Sequence, residues 1–174
     1  MITNGRTLIQ IEGEMIYIVD SITNVPHSAF EIYVSGCTRH CKGCQNEEIQ
    51  AFGIGTPWVE WEKKNSRKYL NPLIKRIWIL GGDLLCQSYE DIVYMIKNIR
   101  QKTDKELWLW TGETLDNILN NSDFKHIAKQ FDYIKSGPYD ANNTNSYEYP
   151  LDDGVTLKII GDNQKIHKVS EILK

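Results

Sequence analysis

Three cysteines, Cys37, Cys41 and Cys44, stand within eight residues and are the groups in this sequence best suited to chemistry. Their pattern, Cys37-Thr-Arg-His-Cys41-Lys-Gly-Cys44, puts three soft thiolate donors on one tight loop. Short cysteine spacings of this kind suit an iron–sulfur cluster, and three protein ligands on a four-iron cluster leave one iron open. An open coordination position is what a metal site needs to bind a substrate or cofactor directly. The amino and carboxylate groups of S-adenosylmethionine would fill it, and an electron from the cluster could then break a carbon–sulfur bond.

Two other readings of the loop stand beside this one. A Cys3His zinc site would recruit His40, but His40 directly precedes Cys41, and structural zinc usually draws on two separated ligand pairs. The cysteines could also be small buried residues, as free cysteines often are. Three of them beside Arg39, His40 and Lys42 do not resemble core packing. The fourth cysteine, Cys86, adjoins the apolar pair Leu84-Leu85, and core packing is the expectation for it. Arg39 and Lys42 would favour thiolate over thiol, or act only as surface cations.

The elements that must carry this loop alternate in type. Phe30–Val34 alternates and is rich in β-formers, so it reads as a strand running into Ser35-Gly36 and the cysteines. Arg76–Leu80 reads as a buried strand ending at Gly81-Gly82-Asp83. Ile92, Val93, Ile96 and Ile99 lie at helical spacing and predict a helix over about 89–102. Glu106–Trp110 is a strand ending at Thr111-Gly112, followed by a helix marked by Leu115, Ile118 and Leu119. Phe131–Lys135 and Val155–Ile160 are further strands, ending at Ser136-Gly137-Pro138 and at Gly161-Asp162-Asn163-Gln164. Strand, loop, helix, strand is the pattern of a parallel sheet with helical crossovers. Ligands in such folds sit at the strand C-termini, so these loops and the cysteines are expected on one rim. Residues 57–75, with Trp58 and Trp61 and the basic run Lys63, Lys64, Arg67 and Lys68, read as a solvated helix burying its aromatics. Residues 140–150 are polar and turn-rich and read as a mobile surface loop.

Gly81-Gly82-Asp83 could bring backbone groups and a carboxylate to an ammonium ligand; alone, such a triplet is more often a plain turn. Thr111 is expected to cap the following helix, with ligand contact the lesser alternative. Asn163-Gln164 could hydrogen-bond a ligand or act as a cap.

The bulk properties agree with one domain over residues 1–174. A net charge of −3 with dispersed Lys and Arg gives no polyanion-binding surface, so no nucleic acid partner is expected. No apolar run approaches the length that crosses a bilayer, and Met1–Arg6 lacks the apolar core of a leader. A cytoplasmic setting, where thiols stay reduced, follows as the expectation.

The stretch Ile32–Asn46 resembles radical S-adenosylmethionine enzymes, which share Cys-x3-Cys-x2-Cys. More narrowly it is similar to the activating proteins of anaerobic ribonucleoside-triphosphate reductase, through Gly43 before the third cysteine and Asn46 two residues after it. Gly81-Gly82-Asp83, Leu107–Gly112, Gly137-Pro138-Tyr139 and Asn163-Gln164 follow in the family's order. The resemblance implies an incomplete TIM-like α/β barrel. It implies one 4Fe-4S cluster held by Cys37, Cys41 and Cys44, and S-adenosylmethionine contacted by Gly43, Cys44, Gln45 and Gly82; the reading of the Gly-Gly-Asp triplet adds Gly81 and Asp83 to this cofactor-binding set. It also implies a glycyl-radical reductase as partner and an electron donor such as flavodoxin. Leu84, Ile160–Asp162, Val25–His27 and residues 57–75 depart from the family pattern without removing a cluster ligand. A small-molecule radical enzyme, such as a 7-carboxy-7-deazaguanine synthase, is the alternative that the Gly43 position disfavours.

Overall fold

The computed structural model describes residues 15–174, so the Met1–Arg6 stretch lies outside it. The chain builds a seven-stranded sheet in the order β3-β1-β2-β4-β5-β6-β9, with a separate two-stranded sheet, β7-β8. The strands are β1 (Tyr17–Asn24), β2 (Ala29–Val34), β3 (Thr56–Pro57), β4 (Arg76–Gly81), β5 (Glu106–Trp110), β6 (Tyr133–Ser136), β7 (Ser146–Pro150), β8 (Thr156–Ile160) and β9 (Lys165–Lys168). The helices are α1 (Trp58–Tyr69), α2 (Tyr89–Arg100), α3 (Leu115–Asn120), α4 (Ser122–Ala128) and α5 (Val169–Ile172).

The centre of the sheet, β2-β4-β5-β6, is parallel. Its connections carry α1, α2 and the α3–α4 pair, as parallel neighbours need long crossovers. Both flanks run the other way. β1 meets β2 antiparallel across the short Val25–His27 turn, and β9 meets β6 antiparallel. The sheet is open, with β3 and β9 at its two ends. The expected α/β class, with parallel strands joined by helical crossovers, holds for the four central strands, while the flanking strands are antiparallel and the sheet does not close into a barrel. Closure needs strand after strand joined by crossovers with constant tilt and stagger, and here only the four central strands are built that way.

Side-chain alternation explains why the central strands read as continuous apolar runs: they are buried on both faces. Phe30, Ile32, Ile77, Ile79, Leu107, Leu109 and Ile134 share one core with Trp58, Trp61, Ile92, Met95, Ile96 and Ile99 of α1 and α2. The alternate positions Ala29, Trp78, Trp108 and Tyr133 share a second core with Leu151, Leu157 and Ile159. Trp78 pairs with Trp108, and Trp108 with Tyr133, across neighbouring strands. The Trp108 and Tyr133 rings stack at 4.4 Å.

That aromatic row accounts for two further corrections. Thr156–Ile160 is a strand, but it pairs with β7 rather than joining the parallel sheet. Residues 146–150 are therefore a strand and not surface loop. Tyr147 and Tyr149 alternate with polar residues and pack beside Leu157 and Ile159 over the tryptophans. The reading of 57–75 holds: Trp58 and Trp61 are buried while Lys63, Lys64, Arg67 and Lys68 face solvent. Among the described residues no helix is long and apolar enough to cross a membrane.

Candidate cofactor site

The site is a cavity of about 420 Å³ at the C-terminal ends of the parallel strands. All five loops expected on the rim contribute to it: the cysteine loop after β2, Gly81–Asp83 after β4, Thr111-Gly112 after β5, Gly137 after β6, and Gln164. Cys37, Cys41 and Cys44 all line it, with Gln45, Gly81, Gly82 and Asp83. Gly43 does not. Its φ is +72°, and a side chain there would meet Ala141 and Tyr139 instead.

Backbone hydrogen bonds fix the root of the cysteine loop. The Gly36 and Cys37 N–H groups donate to the Ile49 and Gln50 carbonyls at 2.9 and 2.8 Å. Within the loop, the Asn46 N–H donates to Cys44 Sγ at 3.4 Å. The Asn46 side chain donates to the Gly81 carbonyl at 3.0 Å, which ties the loop to the end of β4. His40 sits at φ +48°, with Nδ1 2.9 Å from Gln50 Oε1. The three thiols share the cavity without converging on a point. Among the described residues no three His, Cys, Asp or Glu side chains stand close enough to hold an ion. The donor set nevertheless fits an iron–sulfur cluster: three soft sulfurs on one loop, an N–H already directed at one of them, and room beside them for a ligand.

The cation on this loop is no free surface charge. Arg39 Nε donates to Asp83 Oδ2 and Arg39 Nη2 to Glu113 Oε2, both at 2.8 Å. Asp83 is 1% exposed. It also accepts from the Thr111 hydroxyl and the Gly112 N–H at 2.9 Å, and from the Leu85 N–H at 3.0 Å. One carboxylate thus gathers three loops from three strands. Burial works against the Arg39 charge, but the hydrogen bonds it donates to Asp83 and Glu113 raise its pKa overall. Burial would raise Glu113, and hydrogen bonds led by Arg39 and Asn117 outweigh it and lower its pKa. The stem of Arg39 lies over Gly112, where an added Cβ would fall 2.7 Å from Arg39 Cδ. Lys42, by contrast, is exposed.

Three sequence expectations change here. Thr111 does not cap α3; Thr114 does, accepting from the Asn117 N–H, while Thr111 turns inward to Asp83. Asn163-Gln164 caps nothing, because β9 follows rather than a helix; Asn163 Nδ2 donates to the Pro138 carbonyl at 2.8 Å. Cys86 is half-buried rather than in the core, and its Sγ lies 3.4 Å from the Thr38 hydroxyl beside Cys37. Burial pushes the Cys37 thiol up to about 11, with Cys86 and Asp83 adding to the rise and a backbone bond from Arg39 opposing it.

Sequence reading missed Lys135, since a lysine inside an apolar strand carries no motif. It lines the cavity, with Nζ over the Trp110 ring 5.7 Å from its centroid. Burial pushes its pKa down to about 8, against the pull of Asp83. A lysine that holds its proton more weakly when folded lowers stability below its folded pKa. That deficit fades as pH rises from about 8 toward the unfolded value near ~10.4. Lys135→Met is therefore expected to raise stability near neutral pH by about 1–3 kcal/mol. In urea melts the gap between variant and parent should shrink as pH rises through that window; a gap independent of pH would contradict the shift.

Comparison with known proteins agrees with this geometry. Residues 28–150 match the family model described as a 4Fe-4S single cluster domain. The anaerobic ribonucleoside-triphosphate reductase-activating protein of Escherichia coli (strain K12) is 36% identical over 107 residues, 59% of this chain and 69% of its own. Its namesake from Haemophilus influenzae is 30% identical over 110 residues, 59% and 69% of the two chains. That from Pasteurella multocida (strain Pm70) is 29% identical over 129 residues, 71% and 82% of the two. The residues matched by the family model include all three loops that Asp83 joins, the cysteine loop among them. By its matched domain and its relatives, the chain belongs to the family of anaerobic ribonucleoside-triphosphate reductase-activating proteins.

Proposed function

We propose that this chain is a radical S-adenosylmethionine oxidoreductase that generates a glycyl radical on an anaerobic ribonucleoside-triphosphate reductase. The observation that carries the reading is the placement of Cys37, Cys41 and Cys44 in one cavity with the loops that end the parallel strands. Cys37, Cys41 and Cys44 would hold a 4Fe-4S cluster, leaving one iron without a protein ligand. When bound, the cluster supplies the electron that splits S-adenosylmethionine into methionine and a 5'-deoxyadenosyl radical, which takes hydrogen from a glycine of the reductase.

The chain's own residues do the positioning. Gly81 and Gly82 present backbone to the methionine end of the cofactor, with Cys44 and Gln45 on the cysteine-loop side. Asp83 serves the same end by holding Arg39, Thr111 and Gly112 in place, so that the pocket wall and the thiol loop move as one body. Asn46 adds a second tie through Gly81. The relatives are named for activating the reductase, which supports that enzyme as partner. Flavodoxin is a donor of the kind required, and a cytoplasmic setting keeps the thiols reduced.

Anaerobic reconstitution with iron and sulfide should give a brown protein that, once reduced, converts S-adenosylmethionine to methionine and 5'-deoxyadenosine. Cys41→Ala should lose that cleavage by a factor on the order of 100 or more, with the circular dichroism of the fold unchanged. Added reductase should develop a glycyl-radical signal in electron paramagnetic resonance. A colourless protein carrying one zinc would sink the proposal.

A further inference from the structure

We propose that Cys86 is a resolving thiol for Cys37, and that the two form a disulfide when the cysteine loop is empty and a small-molecule disulfide is present. The consequence for the cluster rests on the reading of Cys37 as a ligand; the pairing itself does not.

The two residues are held together from several directions. The chain after β4 folds back on the root of the cysteine loop: the Asp83 N–H donates to the Gly36 carbonyl at 2.9 Å. Gln87 Nε2 donates to the Ser35 carbonyl at 2.9 Å and to the Gly36 carbonyl at 3.2 Å. Between those two straps lies Cys86, its N–H donating to the Asp83 carbonyl at 3.1 Å. Cys86 Sγ meets the Thr38 hydroxyl at 3.4 Å, one residue past Cys37, and the Cys37 and Cys86 thiols are near enough to interact. Both side chains are half-buried, so a small reagent reaches them. Cys41 and Cys44 lie farther along the loop, where a turn closes from the Cys44 N–H to the Cys41 carbonyl at 3.2 Å.

The exchange balances without a further reactant. One sulfur of the pair attacks the small disulfide RSSR, forms a mixed disulfide and releases RSH with the cysteine's proton. The other sulfur then attacks the mixed disulfide, the bond to R breaks, and a second RSH leaves. The cysteine pair loses two hydrogens and RSSR gains them. The product removes one of three cluster ligands, and it shields Cys37 from irreversible oxidation to sulfinic acid. A dithiol reductant restores the loop.

The test uses the full chain, freed of metal and treated anaerobically with oxidised glutathione. Peptide mapping without reduction should find Cys37 joined to Cys86 as the dominant link, and the intact mass should fall by two hydrogens. Iron uptake on reconstitution should then drop at least about tenfold and recover after dithiothreitol. Cys86→Ser should show no such link and should keep its iron uptake after the same treatment. Cys41→Ser/Cys44→Ser should still form the Cys37–Cys86 bond. A dominant Cys41–Cys44 or Cys37–Cys41 link, or stable glutathione adducts alone, would overturn the proposal. So would failure of never-oxidised Cys86→Ser to take up iron, since that would make Cys86 a ligand. None of these readouts needs cofactor cleavage, so failure here is separable from failure of the proposed activity.

Discussion

Asp83→Ala should destabilise the chain by about 2–4 kcal/mol and leave the cysteine loop unable to retain iron. The carboxylate is 1% exposed and has donors from Arg39, Thr111, Gly112 and Leu85. Truncation leaves the Gly112 and Leu85 N–H groups and the Thr111 hydroxyl without their acceptor, each costing of order 1 kcal/mol. It also takes one of the two anions from Arg39. Breaking a buried ion pair costs about 3–5 kcal/mol. Arg39 keeps some contact with water and keeps Glu113, so its share falls to about 1 kcal/mol or less. The functional loss should exceed the loss of stability, because Asp83 is where the cysteine loop meets the ends of β4 and β5. Asp83→Asn keeps the shape and one carbonyl acceptor but not the charge, and should fall between parent and Asp83→Ala in both respects. Urea unfolding and iron content after reconstitution measure the two effects. If Asp83→Ala took up iron like the parent, the joining role of this carboxylate would be wrong.

Gly82→Ala carries the other large effect. A Cβ on Gly82 would lie 2.5 Å from the Gly36 carbonyl oxygen and 2.9 Å from its carbon. Both are backbone atoms, and neither can turn aside as a side chain would. The Gly82 N–H already donates to Val34 at 2.7 Å, and Asp83 donates to the same Gly36 carbonyl. The methyl group must therefore pry the root of the cysteine loop from the end of β4. A cost of about 2–4 kcal/mol is expected, as for other forced overpacking with loss of hydrogen bonds. Gly53→Ala is the control. Its φ is +78°, but nothing lies within 4 Å of the added Cβ. It should cost only the left-handed conformation, about 1 kcal/mol, and leave iron uptake unchanged. Equal losses at Gly82 and Gly53 would show that backbone conformation, and not contact between the loops, controls the site.

Elements with local signals are legible in the residue order alone. β5 spans Glu106–Trp110 as its apolar run suggests, and α2 begins and ends within two residues of its periodic segment. Ser88 caps α2, and the caps and alternation that define such elements involve neighbours a few residues apart. The cysteine loop is legible for the same reason, since its three thiols lie within one short segment. That the strand-end loops share a rim follows from the rule that parallel strands point the same way.

Residue order thus specifies the thiol loop, the strands and helices that carry it, and the end of the sheet where it sits. Which groups meet there is settled by the fold. Arg39 finds Asp83 forty-four residues away and Glu113 seventy-four away. Thr111 turns inward because that carboxylate awaits it, although its type suits a helix cap equally well. Thr156–Ile160 stands outside the parallel sheet because the tryptophan row on β4 and β5 offers it a face to cover. Lys135 faces the cavity by strand parity, which no residue beside it announces. Cys86 resembles a core residue by its neighbours and stands beside Cys37 by its fold. Ion pairs, buried donors and neighbouring thiols depend on groups brought together from distant positions, and a strand's partner is chosen by the surface available to it.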